Sequence, residues 1–391
     1  MTGLSPPETA RPVPGAHAST RTAVLLSATS FPSTPSDWKG LFILRMLESL
    51  SQRDDLAVAA WCPPGPLPLG VENALCHDDA TWLERLANLG GIAHLLRSHP
   101  IQGAATAISL LRRLHRAYRA SRADLIHVNW LQNALALPAD GRPALVTALG
   151  TDMRLLRLPG MRLLLRRSLR NRPVAICPNA DWMLPELEAA FGDIAKVRVV
   201  PFGIDPGWYA LQRKFDTNPI PKWLCVSRLT ERKIGALFDW AAPAFSRGQA
   251  ELHLFGPMQE QLALPPWAHW HGPATPATLR DIWFPQAHGL ITLSRHDEGR
   301  PQVMLEAMAA GLPIIASHLP AHDDLLGGGG GVLCRGAQDT LAALAALSDP
   351  TTNRALGDQG RARMREGFGT WEDCAQRYAI LYSELLKERE S

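Results

Sequence analysis

The feature that most constrains this chain is a repeated alternation. Short apolar runs, each four to six residues long, are separated by helical or turn-rich stretches over almost the whole length. The first series reads AVLLSA (23–28), LAVAAW (56–61), DLIHV (124–128), ALVTA (144–148), VAIC (174–177) and VRVV (197–200). Runs this short and this uniformly apolar, set between helical patterns, belong to parallel strands buried on both faces. An amphipathic stretch from about Gly40 to Gln52 predicts the first covering helix. A second series reads KWLCVS (222–227), ELHLF (251–255), GLITL (289–293) and PIIA (313–316). Between the two lies a segment rich in Pro and Gly, 201–221, which predicts the domain boundary.

The expected fold is therefore α/β, with two doubly wound Rossmann-like domains facing a deep cleft. The 391 residues suffice for two full cores. The expected division is a disordered leader (1–20), an N-terminal domain (21–200), a C-terminal domain (201–370) and a closing helix (371–391). That helix shows apolar spacing at Ala375, Tyr378, Leu381 and Leu385, which predicts packing back toward the N-terminal domain. The five glycines 327–331 read as a mobile turn. On such sheets ligands bind beyond the carboxyl ends of the strands, so functional residues are expected just after strands.

Composition narrows the function classes. No apolar run reaches the roughly 18 residues of a membrane span. The first 20 residues lack the basic start and apolar core of a signal peptide. Six cysteines are scattered without a CxxC, which fits a reducing cytoplasm and argues against a zinc cage or a disulfide framework. The net charge is only +3, yet 112–172 holds thirteen arginines against three aspartates. Two readings stay open: a polyanionic partner, or a solvated pair of helices. The segment 154–172 interleaves leucines with Arg162, Arg166, Arg167 and Arg170, a pattern suited to an anionic membrane surface. Nucleic acid is not an expected partner.

The densest chemical signal is GLITLSRHDEGRPQVMLEAMAAGLPIIAS (289–317). The reading is a strand ending at Leu293, a polar loop to Arg300, and a helix opened by Pro301 and closed by Gly311. Free amides at such a helix start cradle phosphate. Glu298 lies at the mouth of the loop and Glu306 within the helix; carboxylates accept paired hydrogen bonds from sugar hydroxyls. The second signal is VSRLTERKIG (226–235), where Arg228 and Lys233 follow a strand. Two fixed cations there can neutralise a pyrophosphate leaving group without metal. No DxD occurs anywhere in the chain, so no metal or other cofactor is expected.

These residues resemble the donor signature of family 4 glycosyltransferases of the GT-B fold, and the likeness runs from about residue 22 to 388. Glu298 and Glu306 with EAMAAGLPIIAS match the family's paired-glutamate motif. SRLTERK is similar to its Gly-Arg-Leu…Lys element, with Ser227 in place of Gly. PFGID (201–205) is similar to its hinge strand, with Phe202 in place of Asn. FPSTPSDWKGLFILRMLESL (31–50) looks like its first loop and helix. The resemblance implies a retaining transfer from a UDP- or GDP-sugar to a glycan or lipid-linked acceptor, in surface polysaccharide or glycolipid synthesis, by a cytoplasmic enzyme on the inner membrane face. It implies that Arg228 and Lys233 hold the donor diphosphate and Glu306 the ribose hydroxyls. Glu298 would touch the donor sugar, Gly40 would approach the phosphates, and amides around Val303 and Met304 would cap them.

Departures from the family pattern set further expectations. Leu149 stands where the family often has a His that touches the donor sugar. His127 is a candidate substitute, or else a buried structural His; Asp152 is a candidate acceptor or sugar contact, or else a loop cap. Arg300 and Pro301 follow Glu298-Gly299. Arg300 is expected beside the sugar pocket, recognising an acidic donor sugar or an anionic acceptor. The alternative functions are a non-catalytic donor-binding subunit of another transferase, or a GT-B sugar-nucleotide epimerase or phosphorylase.

Overall fold

The computed structural model describes residues 21–34, 37–215, 220–296 and 298–390. The leader expected at 1–20 lies outside the described residues. Two parallel sheets dominate. The first contains β1 (Thr22–Ser27), β2 (Leu56–Trp61), β3 (Val71–Asn73), β4 (Leu125–Asn129), β5 (Ala144–Ala148), β6 (Val174–Pro178) and β7 (Lys196–Val197), in the order β3-β2-β1-β4-β5-β6-β7. The second contains β8 (Lys222–Val226), β9 (Glu251–Phe255), β10 (Ala268–Trp270), β11 (Gly289–Thr292), β12 (Ile314–Ser317) and β13 (Gly331–Cys334), in the order β10-β9-β8-β11-β12-β13. Strand order reverses between β1 and β4 and again between β8 and β11. These are the switch points at which a doubly wound sheet opens a ligand crevice.

Strands β4, β5 and β6 are buried at every residue. β6 accordingly reads as an unbroken apolar run, and β4 and β5 are interrupted only by the buried polar residues His127, Asn129 and Thr147. Three strands escaped the sequence reading. Two of them, β3 (VEN) and β10 (AHW), are short edge strands with exposed residues. The third, β13, begins inside the glycine run. Gly327–Gly330 do form a turn, with Gly327 and Gly328 exposed, but Gly330 and Gly331 are packed. A Cβ on Gly330 would stand 2.7 Å from Gly360 Cα, and Gly331 pairs with Ile314 in the sheet. Close backbone approach, not mobility, explains them. The run VRVV shrinks to the two-residue β7 at the sheet edge.

The Trp371–Glu390 helix crosses back over the first sheet. Tyr378, Tyr382 and Leu385 are fully buried there, in one cluster with Leu47, Leu125, Leu145 and Ala175. Two chain segments pass between the sheets and pair with each other: Ile204 bridges Thr370, and the Ile204 amide donates to the Gly369 carbonyl at 3.2 Å. Phe202 stacks between Phe42 and Trp371, at centroid distances of 5.3 and 5.4 Å. Both sheets thus present their carboxyl ends to a common cleft beside this crossing.

Candidate functional site

A cleft of about 510 Å³ opens between the sheets. The N-terminal side contributes Trp38, Phe42 and Arg45; the C-terminal side contributes Arg228, Val303 and Glu306.

The cations stand where β8 ends. Thr230 caps the short Glu231–Ile234 helix by accepting the Lys233 amide at 3.2 Å. This fixes the turn from which the Lys233 side chain departs. Its Nζ forms an ion pair with Glu298, and the two side chains are only 11% and 22% exposed. Lys233 and Glu298 therefore meet directly across the ends of two neighbouring strands. Arg228 stays partly exposed in the cleft. It donates to Gln259 at 3.4 Å and lies 5.9 Å from the ring of Trp38, a residue of the opposite domain.

The Gln302–Ala309 helix starts one residue later than expected, with Pro301 as its N-cap at φ −65°. Glu306 projects from it toward the cleft. Burial pushes its carboxyl up to about 8; Asp205 adds to the rise and Arg45 opposes it. A carboxyl in this state at neutral pH can donate one hydrogen bond and accept others, which suits a vicinal diol. Val303 lines the cleft. Met304 does not fit the phosphate-capping expectation, because its side chain is fully buried and its amide donates to Pro301 at 3.1 Å.

Gly40 has a different reason for being glycine than the one expected. Its φ is +67°, and a Cβ would fall 2.6 Å from the backbone of Ser30 and Phe31. The residues after it, Leu41, Phe42 and Arg45, reach the cleft.

His127 and Asp152 take the structural one of their two readings, and the expectation for Arg300 is corrected. His127 is fully buried, with Nδ1 bonded to the Tyr382 hydroxyl at 2.6 Å and Nε2 to the Thr147 hydroxyl at 2.8 Å. Burial depresses its pKa to about 3. With both nitrogens engaged under the closing helix, it touches no ligand. Asp152 is a loop cap: its buried carboxylate accepts the amides of Leu131 at 3.1 Å and Leu149 at 3.0 Å. Arg300 does not face a sugar pocket. Its side chain is 2% exposed and bonds the Asn179 carbonyl at 3.0 Å, Asp181 at 3.1 Å, and Asp324. It also lies 4.7 Å from the Phe368 ring. Two carboxylates, a carbonyl and an aromatic face engage its terminal nitrogens and ring-facing side, while Nε has no partner among the described residues.

Several residues of the site went unnoticed in the sequence. Trp38 and Arg45 follow the rule that functional residues succeed strands, and it could have found them. Asp205 sits next to Glu306 and caps the Gly207 amide at 2.8 Å. His322 is fully buried behind Glu298. Its Nδ1 bonds the Ser317 carbonyl at 2.8 Å, while its Nε2 has no partner among the described residues. Trp130, just past β4, has φ 69°, a region that bulky residues rarely enter, and packs edge-on against Phe42. Among the described residues, no group of three or more His, Cys, Asp or Glu side chains is placed to hold a metal ion.

Part of the basic segment serves the fold. Arg162 pairs with Glu186 at 3.2 Å and Arg166 pairs with Asp193. Arg172 donates to the carbonyls of Arg142 and Pro138. Beside them Leu158, Leu163 and Leu164 are exposed by half or more.

Comparison with known proteins agrees with this layout. Residues 220–349, which hold Arg228, Lys233, Glu298 and Glu306, match the family described as Glycosyl transferases group 1. No curated protein matches the sequence. Among solved structures, sucrose-phosphate synthase from Thermosynechococcus elongatus superposes with a TM-score of 0.67 at 18% identity, over 94% of this chain and 100% of that one. A UDP-forming trehalose-phosphate synthase from Burkholderia xenovorans gives 0.65 at 14%, over 94% and 99%. Anabaena HepE in complex with UDP and glucose gives 0.62 at 15%, over 93% and 100%. The chain has the fold of these proteins: GT-B, two Rossmann-like domains about a cleft.

Proposed function

We propose that the chain is a retaining family 4 glycosyltransferase. In this reading it moves a sugar from a UDP- or GDP-sugar to a glycan or lipid-linked acceptor of surface polysaccharide or glycolipid synthesis. The supporting observation is convergence: Arg228 and Glu306 line one cleft, and Lys233 and Glu298, from the ends of two neighbouring strands, pair with each other.

Each residue has a chemical task. Arg228 and Lys233 hold the donor diphosphate and neutralise the charge that grows on it as the bond to the anomeric carbon breaks. The helix-start amide of Val303 adds a donor. Glu306 binds the ribose diol. Glu298 exchanges its contact with Lys233 for a donor-sugar hydroxyl when Lys233 engages phosphate. The acceptor hydroxyl, held by the N-terminal domain, bonds to the anomeric carbon on the face the phosphate leaves, and the departing phosphate oxygen takes its proton. No step calls for a metal or another cofactor.

Thermal shift against a panel of sugar nucleotides tests donor use, since a ligand that binds only the native state raises its melting temperature. Stabilisation by a UDP- or GDP-sugar, absent in Lys233→Ala, is the expected result. No stabilisation by any member overturns the reading. Leu149 favours one alternative, a donor-binding subunit without catalysis. Slow hydrolysis of the stabilising donor by the purified protein excludes it.

The place of work is the inner membrane face. Among the described residues no helix is long and apolar enough to cross a membrane. The exposed Leu158, Leu163 and Leu164, beside Arg167 and Arg170, would rest on anionic lipid.

A further inference from the structure

The loop that carries Glu298 is held by residues of the opposite domain. Gly299 touches the end of β5 so closely that a Cβ on it would stand 2.5 Å from the Leu149 carbonyl oxygen and 2.6 Å from Asn179 Oδ1. A Cβ on Gly150 would in turn stand 2.6 Å from the Glu298 carbonyl carbon. The Trp182 indole donates to the Gly299 carbonyl at 2.8 Å. Arg300 then reaches past the loop to the Asn179 carbonyl and the Asp181 carboxylate, while the same guanidinium holds Asp324 of its own domain. The backbone of 298–300 is thus clasped from the ends of β5 and β6. The other side of the cleft is different: Arg228 and Trp38 face each other at 5.9 Å without a hydrogen bond between them in the described contacts.

We propose that Arg300 is a positioning residue: with Asp181 and Trp182 it forms a latch that fastens the N-terminal domain to the Glu298 loop and so sets Glu298 against the donor sugar when the cleft closes. This rests on the donor-site reading above. The latch makes sugar placement depend on domain closure, whereas Arg228 lies outside it and Lys233 meets it only through the Glu298 side chain. Loss of the latch should therefore separate two affinities. A nucleoside diphosphate would still bind, and the sugar end of a sugar nucleotide would lose its contact.

Removing Arg300 strands the enclosed Asp324, so the test attacks the latch from its exposed end. Asp181, 65% exposed in its side chain, is changed to Ala and Trp182 to Phe in the full chain. Solution X-ray scattering of the ligand-free protein is the first measurement. The double variant is expected to show a larger radius of gyration than wild type; superimposable profiles overturn the latch. The second compares UDP and GDP with the sugar nucleotide that stabilises wild type. The expected result is diphosphate affinity within twofold of wild type, sugar-nucleotide turnover reduced about tenfold or more, and substantial rescue by Asp181→Glu. Equal loss of both affinities, or unchanged turnover, overturns the proposal. If wild type binds no nucleotide at all, the transferase reading fails on its own, and the scattering comparison still decides the latch.

Discussion

The two domains share an architecture but use their charged strand-end residues in opposite ways. In the N-terminal domain, His127 lies within β4 and Asp152 beyond the end of β5, and both are consumed by local structure, one by two hydroxyls and the other by backbone amides. In the C-terminal domain the equivalent edge leaves Arg228 and Glu306 lining the cleft and Lys233 paired with Glu298. A polar residue after a parallel strand is therefore a site residue only if the turn can satisfy its amides without it. The Thr230 side chain does that at the end of β8 by accepting the Lys233 amide, and no comparable cap frees Asp152.

The largest effect that could break this contrast is catalytic. Lys233→Ala is expected to lower donor turnover by roughly 10²–10³-fold, the scale for losing one stabiliser of developing charge. Its fall in melting temperature should be the smaller effect: the pair is only 11% and 22% exposed, so Glu298 loses its partner, but neither residue belongs to a hydrophobic core cluster. Asp152→Ala should do the reverse. Two buried amides lose their acceptor, at a cost of about 1–3 kcal/mol each. Turnover below the melting transition should stay near that of wild type. Chemical denaturation paired with a turnover assay distinguishes the two. If Asp152→Ala cuts turnover at unchanged stability, the contrast between the domains falls.

Titration sharpens the same comparison. His127 has its pKa depressed from 6.5 to about 3, so the unfolded state binds its proton first. Its contribution to stability is full above 6.5 and is lost progressively as pH falls toward 3. Glu306 has its pKa raised from 4.5 to about 8, so the folded state keeps its proton longer. Its contribution is full below 4.5 and is lost as pH rises through 8. Glu306→Gln should flatten the alkaline limb between those values and leave the acid limb alone. Melting temperatures across pH 5 to 9 check this. An unchanged alkaline slope would mean that Glu306 is ionised in the cleft and binds ribose as an acceptor only.

The legibility of the sequence divides along the same line. Strands β2, β5 and β9 are read with the bounds they have, because each is mostly buried and its apolar residues outnumber the polar ones. The strand–loop–helix of 289–311 was legible because its pattern is local: Glu298, Pro301 and Glu306 lie within that single unit. Edge strands β3 and β10 were not, since exposure mixes polar residues into three-residue runs. Arg300 was misread for a reason no local pattern could correct. Its partners Asn179 and Asp181 lie 121 and 119 residues away, and only the approach of the two domains shows that its charge is spoken for. His127 could equally be core or ligand until the closing helix brought Tyr382 from 255 residues away.

The smallest effect concerns the arginine-rich segment, where the N-terminal domain again spends charge on itself. Arg162 and Glu186 form a part-exposed pair, at 49% and 31% side-chain exposure. Such a pair is worth about 0–1 kcal/mol, so Arg162→Ala should barely move the melting temperature. The arginines that could serve a surface instead are Arg167 and Arg170, next to the exposed Leu163 and Leu164. Changing both to Glu should alter stability by less than about 1 kcal/mol. The same change should abolish co-sedimentation with anionic vesicles at low salt. Wild type should bind such vesicles, ignore neutral ones, and lose binding as salt screens the charge. If wild type binds neither kind, the arginines left over from local pairing are a solvated helix face. Both domains would then do all their recognition at the cleft.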